Sequence, residues 1–333
     1  MKKYSAYAIG AALVDTEIQV SEMDLTEMRI KKGTMTLVDA QQQAAMLSKL
    51  SHHLVLASHA SGGSAGNSMI AAAIMGSRTY MSCKVAKDKD GDIYLADLES
   101  SGVAHGLKNN RREGITGKCL VLITPDAERS LNTNLGVSAT LSIDEVNEEA
   151  IRNSEWVYIE GYLVTSPSGH EAALRTKSLA KQYNVRTAVT FSDPGMVRFF
   201  RENMSAMVEG GVDLVFCNEA EALEWGRCTA LSEAVEAIKK VASNFVITLG
   251  AKGALTWDGQ QLIEVAATPV RAVNTNGAGD MFAGAYLYAM SRGETALRAT
   301  EYANLAAGEV VKCDGPRLNR DTCLTLRDQF FGD

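Results

Sequence analysis

Asn274-Thr275-Asn276-Gly277-Ala278-Gly279-Asp280, running directly into Met281-Phe282-Ala283-Gly284-Ala285-Tyr286-Leu287, is the stretch that decides what kind of chain this is. Its glycines let the backbone approach a ligand closely, and the helix that follows aims the free N–H groups of its first turn at the same place, which makes an anion site. Gly277, Ala278 and Gly279 are the candidate donors, with Asn276 beside them. Asp280 conflicts with an anion unless it handles a proton, so it reads as a general base. An acidic residue in a helix's first turn is also favourable for its own sake, and that plainer reading stands beside the first.

Upstream of this stretch, short apolar runs alternate with helix-length amphipathic segments. Trp156 to Ile159, Arg186 to Phe191, Asp213 to Cys217 and Phe245 to Leu249 read as strands, with Gly169 to Tyr183 and Ser232 to Ala242 as helices between them. Leu54 to Ala57, Ala65 to Met75 and Thr79 to Cys83 carry the same rhythm earlier in the chain. Such alternation predicts an α/β protein with a mostly parallel central sheet and helices on both faces. Residues 16–38 and 118–140 break the rhythm and read as strands without intervening helices, so a small antiparallel sheet is expected over the site as a lid. With no linker or repeat in evidence, residues 1–333 are expected to form one unit with those segments inserted.

Further candidate residues fall at strand ends, where open α/β sheets bind ligands. Thr248-Leu249-Gly250-Ala251-Lys252-Gly253 follows one strand; its glycines suit close approach to a nucleotide, with Thr248, Gly250, Lys252 and Gly253 as contacts. Asn218-x-x-Glu221 follows another and sets an amide and a carboxylate one helical turn apart, a pair able to order water around Mg²⁺. The same pair is also a helix cap. Gly62-Gly63-Ser64-Ala65-Gly66-Asn67 opens a helix of small residues, offering backbone donors and the Asn67 amide to a polar ligand. Asp15, expected to end the first strand, is suited to accept two hydroxyl hydrogen bonds from a vicinal diol. No G-x-x-x-x-G-K-[ST] is present, which excludes a P-loop.

Composition narrows the field. With 333 residues, 46% of them hydrophobic, the chain can bury a large core, and its net charge of −7 without a basic block argues against nucleic acid as a partner. Six scattered cysteines with no metal-ligand spacing imply reduced thiols and a cytoplasmic protein. Met1-Lys2-Lys3 and the run to Val14 imitate a signal peptide, but Tyr4, Ser5 and Tyr7 interrupt the run and a buried first strand is the better reading. No segment has the length of a membrane span.

Asn274 to Asp280 resembles the second signature of the PfkB (ribokinase-like) carbohydrate kinases, and Gly62 to Asn67 resembles their glycine-rich first signature. Asp15, the Gly62-Gly63 pair, Asn218-x-x-Glu221, Gly250-x-Lys252-Gly253 and Asp280 occur in the family's order, so the likeness spans nearly the whole chain. Arg129-Ser130-Leu131-x-x-Asn134-Leu135 and the T-N-G-A-G-D form of the signature are most similar to the adenosine kinase branch. The resemblance implies a ribokinase-like fold and an ATP- and Mg²⁺-dependent kinase acting on a primary hydroxyl, of adenosine or a related purine nucleoside, or else of ribose, fructose or a keto-deoxy sugar acid. It further implies Asp280 as base, Gly277, Ala278 and Gly279 as anion hole, and Asp15, Gly62, Gly63 and Asn67 around the acceptor's hydroxyls. Arg129 is implied at the transferred phosphoryl group. The family's signature usually begins with Asp at a position tied to a monovalent cation; Asn274 departs from it, which weakens the case for K⁺. A monomer or a homodimer is compatible with this reading.

Two rivals remain at this level. Gly62-x-Ser64-x-Gly66 fits the nucleophile elbow of a serine hydrolase, although no histidine follows His170, where that fold puts its catalytic one. A non-catalytic nucleoside or sugar sensor on the same scaffold is the other, since fold does not fix function.

Overall fold

The computed structural model describes residues 2–50, 58–109 and 111–332. Its strands, in chain order, are β1 (Tyr4–Ile9), β2 (Leu13–Gln19), β3 (Met35–Leu37), β4 (Ser58–Gly62), β5 (Thr79–Ser82), β6 (Ala104–His105) and β7 (Gly117–Ile123). They continue with β8 (Arg129–Asn134), β9 (Ser154–Ile159), β10 (Arg186–Thr190), β11 (Val212–Asn218), β12 (Ala242–Thr248), β13 (Ala254–Trp257) and β14 (Leu262–Val265).

Nine of these form a central sheet in the order β14-β13-β12-β11-β10-β9-β1-β5-β6. Every pairing from β12 to β6 is parallel, and β13 and β14 extend the sheet antiparallel at one edge. Successive side chains along a strand point to opposite faces, so the apolar runs supply two cores at once. Ala8, Tyr158, Phe216 and Val246 face the helices Ser64–Met75, Ala278–Ser291 and Ala296–Val310. Ile9, Ile159, Val215 and Ile247 face Pro167–Gln182 and Leu231–Lys239 on the other side. The strands and helices expected from residue 140 onward occur within a few positions of their expected bounds. The Leu54 to Ala57 strand lies outside the described residues.

A second sheet, in the order β3-β8-β7-β2-β4, covers the carboxyl ends of the central strands. β7 pairs with β8, and β2 with β4, antiparallel; β2 with β7 and β3 with β8 are parallel. The sheet is thus mixed, with antiparallel pairs as expected and two parallel ones beside them, and two further details differ from expectation. Helix Glu22–Met28 lies within 16–38, where strands alone are expected; Ser21 and Asp24 close a reciprocal cap at its start. Asp15 does not end β1 but sits within β2, opposite Ala60 and Cys119, because Gly10-Ala11-Ala12 ends the first strand and carries the chain into the second sheet.

All six cysteines are free thiols. Among the described residues no helix is long and apolar enough to cross a membrane.

Candidate active site

Gly277 is the N-cap of helix Ala278–Ser291 with φ +74°, and a Cβ there would collide with the Pro316 carbonyl oxygen, so only glycine serves. Ala278 N–H leans on the Thr275 carbonyl oxygen at 3.3 Å, while Gly279 and Asp280 are first-turn donors with no acceptor inside the helix. This helix packs on helix Ser64–Met75 at Gly284, where an added Cβ would lie 2.5 Å from the Ser68 carbonyl oxygen. The close approach brings Asp280, one turn before Gly284, against Ser64, one turn before Ser68, and against Asn67, the residue just before Ser68. Ser64 Oγ donates to Asp280 Oδ1 at 2.6 Å, and Asn67 Nδ2 donates to Asp280 Oδ2 at 2.9 Å.

Part of Asp280 faces the cavity, yet protein encloses its carboxylate on most sides, and this burial raises its pKa against the opposing pull of Ser64, Asn67, Arg129 and Arg317. Asp15 is pushed up to about 7 by burial and by the nearby charges of Glu17 and Asp280. It is 5% exposed, and its Oδ1 has no hydrogen-bond partner among the described residues. An orphaned acceptor of that kind calls for a donor from a ligand. A Cβ on Gly62 would overlap the Asp15 carboxyl, so Gly62 is small to make room for it.

A cavity of about 510 Å³ lies between the two sheets, a volume typical of small-molecule sites. Asp15, Gly63, Asn67, Arg129, Asn218, Glu221, Thr248, Gly250, Gly253, Asn276, Gly277, Ala278, Gly279 and Asp280 all line it. Two expected site residues do not. Gly62 sits behind Asp15, and Lys252, exposed in a single 3₁₀ turn, stands outside the lining.

Asn218 and Glu221 form the helix cap in full. Asn218 Oδ1 accepts from Glu221 N at 2.8 Å, and Glu221 accepts from Asn218 N at 3.1 Å and from Asn218 Nδ2 at 2.6 Å. Burial pushes Glu221 up to about 8. Each carboxylate oxygen keeps a second acceptor site, so capping and a water-mediated Mg²⁺ contact from the cavity are compatible. The monovalent cation fits less well. Asn274 turns its Nδ2 to the Glu17 carboxylate at 3.1 Å, so a neutral donor stands where a carboxylate would offer a cation a second negative ligand.

Three charged residues at this site are absent from the motif reading. Glu17 on β2 also accepts from Asn276 Nδ2 at 2.8 Å and from Gly315 N at 3.0 Å. Glu160, after β9, accepts from Ala65 N at 2.9 Å and Ala11 N at 3.3 Å, and burial pushes it up to about 7. Arg317 donates to Asn67 Oδ1 at 2.9 Å. Among the described residues the hydrolase reading finds no support in the geometry: Ser64 Oγ faces Asp280, while His105 lies by Glu99 and His170 by the Asn203 carbonyl.

The model of the pfkB family of carbohydrate kinases matches residues 34–323. The chain belongs to the PfkB family. Like that family's members it is a phosphotransferase with an alcohol group as acceptor, and its fold is ribokinase-like. An adenosine kinase from Schizosaccharomyces pombe is 26% identical over 96% of this chain and 97% of its own length. Two solved structures, a probable sugar kinase from Rhizobium etli and an adenosine kinase from Sinorhizobium meliloti, each superpose with TM-score 0.93 at 31% identity. The first likeness covers 100% of this chain and 99% of the other; the second covers 98% and 99%. Members of this family use ATP, and the cavity of this chain lies between the carboxyl ends of the parallel strands and the covering sheet.

Proposed function

We propose that the protein transfers the γ-phosphate of ATP to the primary hydroxyl of a purine nucleoside, adenosine first among them, in the cytoplasm. The observation that carries the nucleoside reading is the apolar compartment beside Asp15. Leu13, Met35, Leu37 and Leu131 of the covering sheet, with Leu135 just after β8, wall it, a surface suited to a flat base and left unfilled by a free sugar. The likeness to adenosine kinases supports the same choice.

In this reading the orphaned Asp15 oxygen accepts a ribose hydroxyl, and Asn67 holds the acceptor with its remaining amide hydrogen. Asp280 takes the proton of the attacking hydroxyl. A bond forms between that oxygen and the γ-phosphorus as the bond to the leaving ADP oxygen breaks. Phosphoryl transfer asks the protein mainly for positioning and charge stabilisation, and the first-turn N–H groups after Gly277, with Arg129, supply it. When bound with the nucleotide, Mg²⁺ neutralises phosphate charge; Asn218 and Glu221 would hold it through water. Thr248, Gly250 and Gly253 border the nucleotide end, and the second sheet serves as the lid of the same unit.

ADP release measured against a panel of nucleosides, ribose, fructose and a keto-deoxy sugar acid tests this. Purine nucleosides should give the highest kcat/KM, with a 5′-monophosphate as product. Preference for a free sugar would make the protein a sugar kinase of the same family, and ligand binding without ADP release would make it a sensor.

A further inference from the structure

Arg317 follows helix Ala296–Val310 and reaches the back of the site. Its Nη1 donates to Asn67 Oδ1 at 2.9 Å and to Ser61 O and Oγ at 3.0 Å each; its Nη2 donates to Asp97 Oδ2 at 2.5 Å. The side chain is 12% exposed. Ser61 Oγ also donates to Asp97, so the guanidinium is held on two sides before it touches Asn67.

Asn67 is the intermediary. A side-chain amide has an acceptor end and a donor end of nearly the same shape, and packing alone does not choose between its two orientations. A guanidinium has only donors and is always charged, so it accepts nothing but an oxygen facing it. With Oδ1 committed to Arg317, Nδ2 must face Asp280. The reversed amide would set a carbonyl against the carboxylate and an NH₂ against the guanidinium, losing both bonds.

We infer that Arg317 is a positioning residue for the base: it fixes the Asn67 amide, and through it the Asp280 carboxylate, while Asp97 and Ser61 fix Arg317. The inference rests on Asp280 being the base. Charge acts in the same direction as geometry. Asp280 is faced by Ser64 and Asn67 from helix Ser64–Met75, Asp15 from β2, Arg129 from β8, Tyr158 from β9, Glu160 and Tyr162 from the turn after it, and Arg317. Asp15 and Glu160 oppose ionisation of Asp280; Arg129 and Arg317 favour it.

The test compares the full chain with Arg317→Met, Arg317→Lys and Asp97→Asn, using MgATP and the best acceptor of the panel. kcat and acceptor KM are measured across pH, and folding is followed by thermal unfolding. Arg317→Met should lose about 10²-fold in kcat, the scale of a misplaced catalytic group, with a smaller change in KM. The acid limb of its kcat profile should move to higher pH, because a cation that favours the ionised base is gone. Arg317→Lys, which keeps a charge and a donor, should restore part of kcat and most of the limb. Asp97→Asn, at a more exposed position, should act in the same sense and less, and it decides the matter if Arg317→Met does not fold. A variant with lowered thermal stability but wild-type kcat and an unmoved limb would reduce Arg317 to a structural residue. That result with an inactive Asp280→Asn overturns this inference alone; an active Asp280→Asn overturns the base assignment and this inference with it.

Discussion

Glu17, on a strand of the covering sheet, accepts the Asn276 side-chain amide at 2.8 Å and so ties the lid of the cavity to the loop that forms its floor. Asn274 and Gly315 donate to the same carboxylate. Glu17→Gln keeps the shape and turns one acceptor into a donor facing donors. Each buried donor left without a partner costs about 1–3 kcal/mol, with incomplete additivity. The urea midpoint should fall accordingly, and kcat should fall more than nucleotide affinity because the anion loop is loosened. An unchanged midpoint would show that the clamp contributes nothing.

Asn274→Asp sets a second carboxylate against Glu17 where a donor now sits. Two like charges enclosed together are unfavourable unless a cation joins them. The variant's unfolding midpoint should therefore rise with KCl, relative to tetramethylammonium chloride at equal ionic strength, while that of the natural chain should not. Equal responses of the two proteins would mean that Asn274 has no bearing on cation dependence.

Asp280→Asn preserves shape and removes the proton acceptor. Loss of a general base lowers kcat by about 10²–10⁴-fold. ATP affinity, followed by calorimetry, should hold within a few fold, since the nucleotide end of the cavity is untouched. Turnover within tenfold of the natural chain would remove Asp280 from the chemistry.

The central sheet was legible because its cause is local: alternating apolar runs such as Phe245 to Leu249 carry their own period, and the Gly277 turn carries its own φ requirement. The parallel pairing of β2 with β7 was not, since strands about 100 residues apart leave no mark on each other's composition. Helix Glu22–Met28 did leave a mark, the Ser21 and Asp24 cap, which the strand reading of 16–38 passes over. At the site, residues set in glycine turns were readable. Glu17, Glu160 and Arg317 were not, because a lone charged residue acquires its role only from partners elsewhere in the chain: Arg317 meets Asn67 across a separation of 250 positions.

Gly284 determines how near the base stands to Ser64 and Asn67. Gly284→Ala would press a Cβ to 2.5 Å from the Ser68 carbonyl oxygen, and the two helices must separate or shift. Overpacking of this kind costs about 1–3 kcal/mol. Stretching the Ser64 and Asn67 bonds to Asp280 should lower kcat as well, although position 284 does not line the cavity. The check is kcat and thermal midpoint of Gly284→Ala beside the natural chain. A lowered midpoint with unchanged kcat would separate the helix contact from catalysis.

Burial raises the carboxyls of Asp15 and Glu160 to about 7 and that of Glu221 to about 8, and raises Asp280 as well. In the unfolded chain these groups titrate near pH 4, roughly. Between the two values the folded protein holds more protons than the unfolded one, so stability falls as pH rises. Their stabilising contribution is complete below the unfolded values and is lost as pH passes through about 7 and about 8. The ligand-free protein should accordingly show its largest urea unfolding free energy near pH 5, roughly, and a decline toward about pH 8. Glu221→Gln isolates one contributor: glutamine keeps an acceptor for one of the two Asn218 donors but does not titrate, so whatever its absolute stability its decline over the same range should be shallower. Stability that rises from about pH 5 to about pH 8 in the natural chain, or the same slope in both proteins, would contradict a cavity lined by carboxyls held above their ordinary range.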